Sequence, residues 1–169
     1  MYQPLSHIHP GAKIAKNVVV EPFSSIDKDV VIGEGTWIGS NVTIMSGARI
    51  GKNVSIFPGS VISAVPQDLK FKGEKSLTFI GNNCTIRECA TINRGTSASG
   101  KTIIGENCLI MAYAHIAHGL TLIMQLCFAF HSCIVMDGRN KIVLMLLGSK
   151  MILTLLFKAN IKISLLVDL

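Results

Sequence analysis

Charge is scarce in this chain. Asp, Glu, Lys and Arg make up only 15 % of its residues, and sixteen basic against ten acidic side chains leave a formal charge of +6. The basic residues are spread without a Lys/Arg run and with little aromatic interleaving, so no nucleic-acid partner is expected. A mild positive field that draws an anionic substrate or an acidic protein fits better. Cysteine is also short of what a disulfide framework needs: the five (84, 89, 108, 127 and 133) are odd in number and form no C-x-x-C pair. That spacing argues against a thiolate zinc site and points to a reducing, cytoplasmic setting. No G-x-S-x-G elbow is present, and the opening MYQPLSHIHPGAK has no apolar stretch of the signal-peptide kind.

Isoleucine at a fixed interval is plentiful. Ile8, Ile14, Val20, Ile26, Ile32, Ile38, Ile44, Ile50, Ile56 and Ile62 recur every sixth position without a miss. A small or β-branched residue stands four places after most of them, from Ala12 to Ser60. A helix repeats every 3.6 residues, so a period of six cannot stay on one of its faces. Eighteen-residue coils with three short strands, each turning one aliphatic side chain inward, satisfy the pattern. Stacked coils then form parallel sheets about 4.8 Å apart. The expectation is an all-β parallel β-helix of hexapeptide repeats, with Cys84 and Cys108 as small inward residues. The chain resembles the left-handed parallel β-helices, and that hand, an exception to the usual crossover rule, is implied by the resemblance.

The ladder is interrupted twice. It resumes at Ile80, Ile86 and Ile92, then again at Ile104, Ile110 and Ile116. By rung number Ile62, Ile92 and Ile116 are three apart, so the insertions 63–79 and 95–103 are expected to leave from one edge. His118 follows Ile116 by two residues on that same edge, and His115, one residue off an inward rung, is expected to face outward. Loops on a rigid solenoid are favoured places for binding residues. Asp68, Lys70 and His118 are therefore expected along one groove.

Three strings carry a closer resemblance: PQDLKFKGE (66–74), NNCTIRECATINRGT (82–96) and AYAHIAH (112–118). In this order on a hexapeptide ladder they are similar to the bacterial UDP-N-acetylglucosamine O-acyltransferases, over residues 1 to about 118. The resemblance implies transfer of a (3-hydroxy)acyl chain from acyl carrier protein to the 3-hydroxyl of UDP-N-acetylglucosamine, the first acylation of lipid A synthesis. It implies a cytoplasmic homotrimer with sites between subunits, and no metal or bound cofactor. By the same resemblance His118 is the general base, His115 positions substrate, and Gln67, Asp68 and Lys70 contact the nucleotide sugar or the acyl donor. Alternatives are a catalytically inactive truncated β-helix or scaffold, the related N-acyltransferase, and a metal-dependent carbonic anhydrase-like protein.

Two departures stand against it. The resembling family carries aspartate after the second histidine, where this chain has Gly119. Composition also changes at that point. Residues 1–119 contain four leucines and residues 120–169 twelve, while twelve of fifteen glycines precede 119. The division expected is a β-helix domain over 1–119 and an atypical tail over 120–169, irregular or helical. The tail shows no Ile-Gly hexads, and apolar residues at its rung positions Leu122, Phe128 and Ile134 are expected by chance. The family's later coils, its GHV-type turn, HQF motif and C-terminal helical domain are not recognisable. An out-of-frame translation, a capping helix and a membrane segment over 120–136 are the readings considered for the tail.

Overall fold

A computed structural model describes residues 4–122 and, beyond them, the strands Cys127–Phe128, Ser132–Met136 and Ile142–Leu146. The chain winds as a three-walled parallel β-helix. One wall stacks His7–Ile8, Ser25–Ile26, Thr43–Ile44, Val61–Ala64, Thr91–Asn93, His115–Ile116 and Ser132–Met136. The second stacks Lys13–Ile14, Val31–Ile32, Ala48–Ile50, Leu77–Ile80, Lys101–Ile104 and Thr121–Leu122. The third stacks Val19–Val20, Trp37–Ile38, Ser55–Ile56, Thr85–Ile86, Leu109–Ile110 and Cys127–Phe128.

Each hexad builds its wall for the same reasons. The rung side chain points into the prism, and those from Val20 to Ile116 are at most 4 % exposed. Burial of each such side chain contributes about 1.5–3 kcal/mol. Most corners three residues before a rung take a left-handed backbone, and asparagine or glycine usually fills them: Asn17, Gly35, Asn41, Asn53, Gly59, Asn83 and Asn107 all have φ between 53° and 75°. Those residue types adopt that conformation most cheaply. The small inward residue of the hexad closes the corner's hydrogen bonds. Ser24 Oγ donates to the Gly39 carbonyl at 2.7 Å, and Thr36 Oγ1 donates to that of Gly51 at 3.0 Å. Cys84 takes the same position, its thiol 3.0 Å from the Gly105 carbonyl. Burial pushes that thiol up to about 11, which leaves it protonated and unreactive at neutral pH.

The expected edge is observed. Val61–Ile62 pairs with Thr91–Ile92, which pairs with His115–Ile116. Both insertions therefore leave from the first wall. Strands run further into them than the ladder alone gave, since Val61–Ala64, Leu77–Ile80 and Lys101–Ile104 take up their ends. The excursions proper narrow to 65–76 and 94–100.

One expectation is corrected. Leu122, Phe128 and Ile134 are not chance matches: they pair with Ile104, Ile110 and Ile116, so the register runs one coil into the tail. A rung requires only an apolar side chain at every sixth position and a free parallel edge to pair with. After it Ile142–Leu146 lies antiparallel on Ser132–Met136. The readings of the tail as a capping helix or membrane segment fall mostly outside the described residues. Among the described residues no helix is long and apolar enough to cross a membrane.

Candidate functional site

His115 stands on the first wall, directly across the ladder from Thr91. Its Nδ1 lies 2.6 Å from Thr91 Oγ1. The ring is half-buried rather than fully outward as its place beside Ile116 suggests, because that partner draws it against the wall. Burial, and then the neighbouring positive form of His118, hold its pKa below the ordinary 6.5. A neutral imidazole locked at one nitrogen leaves the other to hydrogen-bond a ligand in fixed orientation.

His118 lies three residues on, at partial exposure, between buried Ala117 and Gly119. Gly119 is three residues before the rung Leu122 and has φ +75°, so it is the corner residue of its hexad. Its N–H donates to Thr102 Oγ1 at 2.9 Å. The sequence presents Gly119 as a lost carboxylate, whereas the structure also shows it as an in-register turn glycine.

Gln67, Asp68 and Lys70 sit on the 65–76 excursion. Gln67 and Lys70 are exposed and Asp68 partly so. Asp68 Oδ1 accepts the Lys70 N–H at 2.9 Å, and its carbonyl accepts the Phe71 N–H at 2.9 Å, a tight turn that presents the Lys70 side chain. Among the described residues these side chains make no hydrogen bond to either histidine. The excursion reaches the histidine turn through others. Glu74 accepts from the N–H of Lys72 with Oε2 and from that of Ser97 with Oε1, at 2.8 and 2.9 Å. Those donors keep its carboxyl below the usual range. Ser99 of the second excursion lies beside Gly119, and Thr102, on the strand that follows that excursion, bonds it. At the base, buried Asn93 donates from Nδ2 to the Val65 carbonyl at 3.2 Å, and the Arg94 N–H donates to that of Ala64 at 3.0 Å.

Sequence reading missed Thr91, Glu74, Asn93 and Arg94 as members of this edge. Thr91 was open to counting, since it is one coil and one six-residue detour before His115. The others lie within the quoted strings without a period of their own. Among the described residues no group of three His, Cys, Asp or Glu is placed to hold a metal.

A family model of the bacterial transferase hexapeptide (six repeats) matches residues 29–64. Over 116 residues the chain is 54 % identical to an acyl-carrier-protein-dependent UDP-N-acetylglucosamine O-acyltransferase of Trichlorobacter lovleyi, a match over 68 % of this chain and 44 % of that protein. It is 44 % identical over 115 residues to the protein of that name from Chlamydia caviae, over 68 % and 41 %. The crystal structure of a UDP-N-acetylglucosamine acyltransferase from Bacteroides fragilis superposes with a TM-score of 0.69 at 56 % identity, over 70 % of this chain and 46 % of that one. The chain thus spans less than half the length of these relatives.

Proposed function

We propose, from the fold and sequence that residues 4–122 share with the UDP-N-acetylglucosamine acyltransferases, that this segment carries the base-bearing edge of an acyl transfer onto a nucleotide sugar. The observation that supports the reading is that both excursions leave from the wall that carries His115, with His118 in the turn that follows it. The acceptor is the 3-hydroxyl of UDP-N-acetylglucosamine and the donor a (3-hydroxy)acyl thioester on acyl carrier protein. His118 removes the hydroxyl proton as the oxygen attacks the thioester carbonyl. The ester forms, the C–S bond breaks, and the imidazolium returns the proton to the departing thiolate. His115, neutral and held by Thr91, positions the sugar. Gln67, Asp68 and Lys70 contact the nucleotide sugar or the acyl donor. Lys70, Lys72, Lys75 and Lys101 are exposed around the excursions, a positive rim suited to an acidic carrier protein. The working form is a cytoplasmic homotrimer, in which a neighbouring subunit closes the groove that one copy leaves open.

A second reading has its own observation. With Gly119 after the base, no carboxylate at that position orients the imidazole. By that reading the chain is a catalytically silent β-helix that at most assembles. An acyl-transfer assay with UDP-N-acetylglucosamine and hydroxyacyl carrier protein decides between them. Turnover abolished by His118→Ala supports the enzyme, and a folded, self-associating chain without turnover supports the silent form.

A further inference from the structure

Beyond the turn that Asp68 closes on Lys70 and Phe71, the 65–76 excursion is mounted on residues 93–97 of the next coil. At its start Asn93 Nδ2 donates to the Val65 carbonyl at 3.2 Å. In its middle the Arg94 guanidinium lies over the Phe71 ring, 5.6 Å from the centroid, and its Nη1 donates to the Ser46 carbonyl at 3.1 Å. The third brace, at Glu74, is of another kind, because it joins one excursion to the other.

Glu74 Oε2 accepts the Lys72 N–H at 2.8 Å, within its own excursion, and Oε1 accepts the Ser97 N–H at 2.9 Å, from the second. Bonds to an ionised acceptor are roughly twice as strong as neutral ones. Backbone donors, that of Lys72 foremost, hold the carboxyl below its usual range, so it is ionised at neutral pH. Ser97 lies in a tight turn, where the Thr96 carbonyl accepts the N–H groups of Ser99 and Gly100 at 3.2 and 2.6 Å. Ser99 packs beside Gly119, the residue after His118. Contacts therefore run from the excursion that bears Lys70, through Glu74, Ser97 and Ser99, to the histidine turn. Little else stiffens this path. Lys72, Gly73, Lys75 and residues 97–100 are exposed, and a Cβ on Gly73 would meet nothing within 4 Å. Exposed backbone with so few packed neighbours is drawn from the low end of local stability.

We propose that Glu74 is a positioning residue: its carboxylate clasps the two excursions and so holds the turn of Gln67, Asp68 and Lys70 in a fixed place relative to that of His118. The clasp needs no catalysis, whereas its use in substrate binding rests on the acyl-transfer reading. An excursion held in advance has less freedom to lose when a ligand binds, so the clasp acts on affinity more than on the chemical step.

Solvent exchange of the Lys72 and Ser97 amide protons in the full chain, followed by NMR, tests this. Glu74→Ala should speed exchange at both by about tenfold or more, the loss of a hydrogen bond to a charged group, and should shift the Gly119 N–H resonance. The ladder amides of Val61 and Thr91, bonded to the carbonyls of Ala90 and Ala114, should keep their protection. Glu74→Gln, with one carbonyl oxygen for two donors, should restore part of what alanine loses. In the acyl-transfer assay Glu74→Ala should raise KM about tenfold and leave kcat within about twofold. Unchanged exchange at both amides overturns the clasp. Faster exchange with the Gly119 resonance unmoved, or with KM unmoved in a chain that turns over, overturns the positioning role. A wild-type chain without turnover counts against the acyl-transfer reading alone, and the exchange rates and the Gly119 shift then decide.

Discussion

Restoring a carboxylate at position 119 tests the structure and the chemistry together. Gly119 has φ +75°, and a Cβ placed there meets Ser99 Oγ at 3.0 Å and Ser99 Cβ at 3.3 Å. Ser99 is exposed, so its side chain can turn away and the contact is cheap. The left-handed backbone is the main cost. It is roughly 1–2 kcal/mol for an ordinary residue and less for aspartate, whose short side chain bonds locally. Part of that is offset by about 0.4–1 kcal/mol because an unfolded aspartate has less freedom than glycine. Gly119→Asp is therefore expected to lower stability by about 1 kcal/mol, or near 4 °C in Tm for a domain of this size. Gly119→Val, a β-branched residue in a conformation it avoids, should lose at least twice as much. Thermal unfolding by circular dichroism measures both. Equal losses, or a fall beyond about 10 °C for aspartate, would refute the assignment of 119 as a hexad corner. The same protein in the acyl-transfer assay separates two causes of silence. If only the orienting carboxylate is missing, turnover rises by up to ~10⁴, the scale such a partner reaches in serine proteases. If the later coils are required, turnover stays absent while the fold is intact.

Other outcomes follow from the packing and the titrating groups. Ile92→Ala, at a rung with no exposure, should lose about 2–5 kcal/mol in urea unfolding, whereas Ile8→Ala, at a half-buried rung of the first coil, should lose under about 1 kcal/mol. Gly81→Ala places a Cβ 2.6 Å from the Gly105 carbonyl, on backbone that cannot step aside, and should cost about 3 kcal/mol or more. Gly73→Ala meets nothing within 4 Å and should cost only the ~1–2 kcal/mol of its φ of +87°. Because His115 titrates below 6.5 when folded and near 6.5 when unfolded, the unfolded chain binds the extra proton as pH falls. Stability should be full above pH 6.5 and decline as pH drops from there through the folded value, and His115→Asn should flatten that slope in pH-dependent unfolding. Translating the underlying DNA in its other two frames after codon 118 tests the origin of the tail, which is out-of-frame only if one of them restores Ile-Gly hexads.

Much of this molecule is settled by spacing. A strand alternates its faces and a corner turns after a fixed count, so one aliphatic residue in six assigns each hexad to a wall and each side chain to inside or outside. That is why Ile62, Ile92 and Ile116 could be placed on one wall by arithmetic, and the two excursions with them. The same arithmetic reached Leu122, Phe128 and Ile134, although the tail's composition argued against using them. No such rule runs through an excursion. The bonding of Glu74 to Ser97, the reach of Arg94 across to Ser46, and the drawing of His115 against Thr91 depend on how irregular backbone packs on a neighbouring coil. The absence of a carboxylate at 119 is read from the letters, but only the tertiary structure shows that Gly119 is a properly formed corner, because a left-handed φ belongs to the folded chain and not to the letter.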